Sequence, residues 1–161
     1  MKISCKKTIE MIIRPLSKDS VTPLSILSIS VECVSTYKLL GVMINTSLKW
    51  WDDHIDAITT KAAKRLWFLK TLKRASETVD NLAHYYQTVV RPVLEYACPV
   101  WHSSLSKQQA KSLEDVQRRA LQFIVGNTPY TEACRIFDIQ SLADRRSELC
   151  ITLFKHIVNK C

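Results

Sequence analysis

With 161 residues, the chain has the size of one compact domain and can bury about 70% of the surface its unfolded form exposes. Apolar residues make up 47% of it, yet no apolar run approaches the roughly 18 residues that a membrane span requires, so the composition predicts a soluble globular protein without a membrane partner. The 23 Lys and Arg against 15 Asp and Glu give a net charge of +8, which favours polyanionic partners over acidic-protein-binding or apolar ones without naming the polyanion.

Only two glycines occur, Gly41 and Gly126, so the glycine-rich phosphate loops of Walker and dinucleotide-binding enzymes are excluded. The six cysteines, Cys5, Cys33, Cys98, Cys134, Cys150 and Cys161, are loosely spaced and include no C-x-x-C pair. They read as reduced thiols of an intracellular protein, cytoplasmic or nuclear, packing as small hydrophobes without structural zinc. The opening MKISCKKTIEMIIRP carries charges through its middle and predicts no signal peptide.

Residues 1–48 predict a small antiparallel β meander. Its strands are KTIEMIIR, then LSILSISVECV with Leu24, Ile26, Ile29 and Val31 apolar, then YKLLGVMI, divided by Pro15, Pro23 and a Lys-Asp-Ser turn. A meander this small needs a second layer to cover its apolar face.

From Trp50 the apolar period becomes helical, and residues 49–161 predict a bundle of about four to five helices. The expected fold class is therefore α+β, mostly α. The first helix, about 51–74, places Ile55, Ile58, Ala62, Leu66, Leu69 and Leu72 on one stripe. Asp52, Asp53 and Asp56 near its start and Lys70, Lys73 and Arg74 near its end suit the helix dipole. A second helix is predicted from an N-cap at Ser76, carrying Leu82, Tyr85, Tyr86, Val89 and Val93, kinked at Pro92 and continuing through Tyr96, Ala97 and Val100, with Pro99 weakening its last turn. Ser106 and Gln109 form a capping box for a third helix with Leu113, Val116, Ala120, Phe123 and Ile124 on one face, ending at Gly126. A short helix at about 130–137 and a last one from Ser141, with Leu142, Leu149, Leu153 and Ile157 at heptad-like steps, complete the chain.

Three groups of residues carry chemical potential. Glu95, Cys98 and His102 fall at near-helical spacing, but no oxyanion donors or glycine turn accompany them and their neighbours are apolar, so they read as parts of a packed helix. His54 and Asp56 match the H-x-D half of an iron facial triad, with His102 or His156 as third ligands. On a helix, however, residues two apart point about 200° from each other, so the pair cannot grip one metal. The third group is basic: Lys61, Lys64, Arg65, Lys70, Lys73 and Arg74 lie within one acid-free segment that also holds Trp67 and Phe68. Cations that straddle phosphates beside an aromatic available for stacking are what a polynucleotide backbone needs; the plainer alternative is a solvated helix face. Arg118-Arg119 and Arg145-Arg146 read as surface charge.

Two blocks, YKLLGVMINTSLKWWDDHIDAITTKAAKRLWFLKTLKR and YYQTVVRPVLEYACPVWHSSLSKQQAKSLEDVQRRALQFIVG, resemble the end of the palm and the following thumb-like region of non-LTR (LINE-type) retrotransposon reverse transcriptases, in that order and over nearly the whole chain. Lys7 and Thr8 with Met11 look like the N-x-x-KT element of the late palm, with Ser4 at the family asparagine position. Leu40 and Gly41 look like the end of the primer-grip Y-K-Y-L-G, with Leu39 replacing its second tyrosine. The resemblance implies a partial palm remnant over 1–48 and a thumb-like domain over 49–161 that grips the backbone of RNA or DNA through Lys61, Lys64, Arg65, Trp67, Lys70, Lys73 and Arg74. The Y-x-D-D turn that holds the family's catalytic metals does not occur, and phosphoryl transfer on two metals requires those carboxylates. The expectation is thus a non-catalytic fragment of an RNA-directed DNA polymerase, without a cofactor or metal, binding nucleic acid weakly and without sequence preference. The alternative is a protein-interaction or scaffold module derived from a mobile element, self-associating through an exposed sheet edge. A similar block resembles a short segment attributed to an alkylation-repair dioxygenase homologue of animals. The chain has neither a jelly-roll pattern nor a glycine-rich cofactor loop, so oxygenase and methyltransferase chemistry are not expected.

Overall fold

The computed structural model describes residues 8–13, 22, 24–47 and 51–160. The chain is mostly α, with short strand pairs confined to its N-terminal part, as the change of period predicts. It divides into two compact units between His54 and Ile55, a few residues after that change.

Among the described residues of the first unit, six short strands stand where three were expected. β1 (Ile9–Glu10) pairs in parallel with β4 (Glu32–Cys33), β2 (Ser25–Ile26) antiparallel with β3 (Ile29–Ser30), and β5 (Thr36–Leu39) antiparallel with β6 (Val42–Asn45). Two expected strands are in fact hairpins. Leu27 and Ser28 both take positive φ (52° and 63°), as do Leu40 and Gly41 (47° and 89°), and two successive positive-φ residues make the two-residue turn whose twist matches paired strands. Gly41 adopts that region freely and Leu40 at some cost. The meander is also not wholly antiparallel, because β4 continues β3 after the single residue Val31 and the pair returns alongside β1 in the same direction. Glu10 braces this return, its carbonyl accepting from the Val34 amide at 2.9 Å and its carboxylate from the Leu24 amide at 3.2 Å.

His54 closes this unit. The Met43 amide donates to its Nδ1 at 3.3 Å, which places the ring proton on Nε2, and Trp51 meets the ring edge-on. Burial holds the imidazole below its ordinary value of 6.5. A base depressed in the folded state contributes stability that is full above its unfolded value and is lost as pH falls from 6.5 through the lowered folded value. The thermal midpoint of this unit should therefore decline on acidification below 6.5. His54→Asn, which keeps an acceptor near Nδ1 without the titration, should flatten that decline; an unchanged profile would show that His54 does not govern it.

The second unit is a helical bundle. α1 (Asp52–Arg74) enters it with Ile55, Ile58, Ala62, Leu66 and Leu69 buried along the predicted stripe and Leu72 half-buried. The next helix starts later than expected: Ser76 takes a left-handed φ of 62°, and Thr78 caps α2 (Val79–Tyr85) by accepting from the Asn81 amide. α2 runs through a π-helical stretch at Tyr86–Val90 into α3 (Arg91–Glu95), with Pro92 in its first turn. The predicted kink takes this form because proline lacks an amide donor and its ring crowds the preceding turn, which the wider π turn relieves. The helix does not continue past Tyr96 as expected. Ala97 is left-handed (φ 52°), and α4 (Cys98–Trp101) starts afresh, because Pro99 is better placed in a first helical turn than inside a helix.

The capping box between Ser106 and Gln109 opens α5 (Lys107–Val125). Leu113, Val116, Ala120, Leu121 and Ile124 line its core face, and Gly126, at φ 73°, ends it. α6 (Tyr130–Ile136) and α7 (Leu142–Val158) follow, α7 capped by Ser141 accepting from the Asp144 amide at 3.1 Å.

One buried amide joins these helices. Gln117 accepts from the Tyr86 hydroxyl at 2.6 Å and donates to the Tyr130 hydroxyl at 2.7 Å and the Gln140 carbonyl at 2.9 Å. Tyr130 in turn donates to Glu114, whose carboxylate also accepts from the Leu142 amide at 3.2 Å. Burial raises the pKa of both tyrosines, well above the ordinary value for Tyr86, so both hydroxyls stay protonated and able to donate.

Candidate nucleic-acid interface

Residues 61, 64, 67, 70 and 73 of α1 are three apart, and such a row forms a ridge inclined to the helix axis. Lys61, Lys64, Trp67, Lys70 and Lys73 occupy it, spanning about 18 Å at 1.5 Å per residue, and Arg74 adjoins Lys70 one turn on. All six are exposed. Trp67 is 61% exposed and meets Phe68 edge-on, ring centroids 5.0 Å apart, which leaves an indole face open to a planar ligand.

Two of the seven expected contact residues are committed elsewhere. Arg65 turns off the ridge and donates to the Val89 carbonyl in the π-helical stretch, while the Tyr85 hydroxyl donates back to the Arg65 carbonyl at 3.4 Å. Lys73 donates to the Ile124 carbonyl at 3.1 Å near the end of α5, where a cation suits the free carbonyls. These bonds join α1 to its neighbours. Lys61, Lys64, Lys70 and Arg74 are left as the outward cations of the predicted set.

The structure adds residues to the ridge that sequence spacing misses. Lys70, Lys73 and Arg74 line a shallow groove of about 320 Å³ together with Gln122 and Phe123 of α5, and the Lys70 ammonium stands 5.9 Å from the Phe123 ring centroid. A groove elsewhere in the bundle, lined by Glu77, Asn81, His84 and Tyr85 among others, holds no lysine or arginine. The basic groove can thus take an anionic group against its cations and a flat apolar group against Phe123. Phe123 was legible as a core-face residue of α5, but its meeting with Lys70 arises only from how α1 and α5 pack.

The remaining sequence candidates are dispersed. Of the palm-like residues, Ser4 and Lys7 lie outside the described residues, Thr8 precedes β1, and Leu40 and Gly41 form a hairpin tip with Leu40 84% exposed. His54 faces the Met43 amide while Asp56 is exposed, and among the described residues no three His, Cys, Asp or Glu side chains are grouped so as to hold a metal ion.

The break at Ala97 takes Glu95, Cys98 and His102 off any common helix face. Glu95 forms ion pairs with Arg91 (3.5 Å) and Arg145 (3.6 Å), and burial outweighs those cations in raising its carboxyl above the ordinary value. The Cys98 thiol is pushed up to about 11, chiefly by burial and then by Cys150, to which it is hydrogen-bonded, so it stays protonated and unreactive near neutral pH. His102 pairs instead with the Ser147 hydroxyl at 3.2 Å. The stretch is thus the joint between α3, α4 and α7. Arg145 and Arg146 do not behave as the surface charge expected of them: Arg145 binds Glu95 and Glu148, and Arg146 is fully buried, its guanidinium 5.9 Å from the Trp101 ring centroid.

Compared with models of protein families, with curated proteins and with solved structures, the chain matches none. No helix among the described residues is long and apolar enough to cross a membrane. The ridge and its groove therefore rest on their own charge and geometry.

Proposed function

We propose that the chain is a non-catalytic nucleic-acid-binding module, related to the thumb-like region of non-LTR retrotransposon reverse transcriptases, that holds RNA or DNA by its backbone through the ridge of α1. The observation that carries this reading is the run of outward cations Lys61, Lys64, Lys70 and Arg74 along the exposed side of one acid-free segment of α1, residues 61–74, interrupted by the open indole of Trp67 and ending in a groove with Phe123. Cations spaced along a ridge neutralise successive phosphates, and an exposed aromatic stacks on any base, so the contact selects charge and not sequence.

Fluorescence anisotropy with a labelled oligonucleotide tests the proposal. If Lys61, Lys64, Lys70 and Arg74 each displace a counterion, the slope of log affinity against log salt is about −3.6 on duplex DNA and about −2.8 on a single strand. Lys64→Glu with Arg74→Glu should weaken binding at low salt more than tenfold, leave the far-UV circular dichroism unchanged, and do so equally for unrelated sequences. Absence of binding at low salt, or a variant that binds like the parent, overturns the reading.

A further inference from the structure

The second half of α7 carries an apolar face that its own bundle leaves uncovered. The stripe that docks α7 runs through Leu142, Arg146 and Leu149 and repeats at Leu153 and Ile157. Leu142 and Arg146 are fully buried and Leu149 is half-buried, but every residue from Ile151 to Lys160 is exposed. The helix thus outruns its packing partners by more than two turns. Ile151, Leu153, Phe154, Ile157 and Val158 fall within one half of its circumference, and Phe154 is 68% exposed. Together they present roughly 500 Å² of apolar side chain, at the upper end of what a monomer leaves in one patch.

We propose that this face is covered by the same face of a second copy, in an antiparallel contact with its two-fold axis at Phe154. A two-fold contact requires that whenever residue i meets residue j of the partner, j meets i. The centre of the apolar face has that symmetry, while Leu153 falls opposite Lys155 at its edge. Ile151 and Ile157 lie three residues to either side of Phe154, and Cys150 and Val158 lie four to either side, the spacings that share a helix face. Two such helices bring Phe154 against its own counterpart and Ile151 against Ile157 on both sides of the axis. Complete cover of both faces buries about 1,000 Å² in total, the size of a weak, transient interface, so the dimer is reversible. This surface is distinct from the sheet edges of the first unit and from the α1 ridge.

Charge sets the salt response. Residues 149–160 include Lys155, His156 and Lys160 and no Asp or Glu, and each copy carries +8 overall, so repulsion opposes the dimer and salt, by screening it, strengthens the dimer. Nucleic-acid binding responds in the opposite sense, and the two proposals succeed or fail separately.

Sedimentation equilibrium of the full chain in reducing buffer, at low and high salt and without nucleic acid, tests the dimer. The parent protein should show a monomer–dimer equilibrium that tightens with salt. Phe154→Glu should weaken it at least thirtyfold without changing the thermal midpoint of the bundle, since the side chain is exposed. Mixing Phe154→Glu with Phe154→Lys should restore association, because the two-fold brings the opposite charges together. A monomer at every concentration in high salt, a dimer indifferent to Phe154→Glu, or a mixture that fails to associate overturns the proposal; so does recruitment of a monomer to anionic vesicles through Phe154, which would make the face a lipid contact.

Discussion

Trp101→Ala should cost about 4 kcal/mol of folding stability, the middle of the range for emptying a fully buried tryptophan site. Trp101 is completely buried and its indole N–H donates to the Tyr96 carbonyl at 3.1 Å, across the break where the chain turns at Ala97. α4 is one short turn of helix, too brief to hold itself, so its place against α7 depends on this side chain. The ring also faces the buried Arg146 guanidinium, whose nitrogens have no hydrogen-bonding partner among the described residues. Removing the indole takes away the π face offsetting part of that burial cost. Urea unfolding should show the midpoint lowered with the slope kept. Trp67→Ala, at an exposed site, should stay within about 0.5 kcal/mol. A loss below about 1 kcal/mol at Trp101 would show that α4 is anchored by other contacts.

Gln117→Leu should destabilise by about 3 kcal/mol despite its near-equal volume. The apolar side chain removes the partner of the buried Tyr86 hydroxyl and one bond each from the Tyr130 hydroxyl and the Gln140 carbonyl, and a buried polar group left without a partner costs about 1–3 kcal/mol. Tyr130 retains Glu114 as an acceptor and Gln140 is exposed, so Tyr86 carries most of the loss. Tyr86→Phe in the Gln117→Leu background should then recover part of it, because the stranded hydroxyl is gone, whereas Tyr86→Phe alone should cost about 1 kcal/mol. Strict additivity of the two substitutions in a double-mutant cycle would mean that Tyr86 and Gln117 do not act as one unit.

Helix boundaries were legible where the signal is local. The capping box at Ser106 rests on side chains within three residues of the backbone groups they satisfy, and the stop at Gly126 on a positive φ that glycine adopts freely; both are found, as is the expected start of the last helix at Ser141. The stripe of α1 was legible because six residues repeat at helical spacing, five of them buried and Leu72 half-buried. The reading failed where two local outcomes compete. Ser76 and Thr78 are both capping residues, and the left-handed turn at Ser76 gave the role to Thr78. Pro99 is tolerated in a weakened last turn or in a fresh first turn, and the chain took the second. Strand direction was likewise unreadable, since nothing in two-residue strands fixes their partners.

Within the candidate interface, the sequence identified the cations but not their orientation. Arg65 and Lys73 have the same local context as Lys64 and Lys70, yet each turns to a carbonyl on a neighbouring helix. Phe123 joined the groove because α1 packs beside α5 there.

By itself, then, the sequence determined what depends on near neighbours and on composition: a mostly helical chain with a β-rich start, an excess of positive charge collected on α1, and no glycine-rich phosphate loop. Tertiary structure alone decided which charges remain outward, that Arg146 is enclosed and that the apolar stripe of α7 runs beyond its cover. Periodicity marks the face a helix can bury, but the length and position of the helices packed against it determine how much of that face is shielded from water.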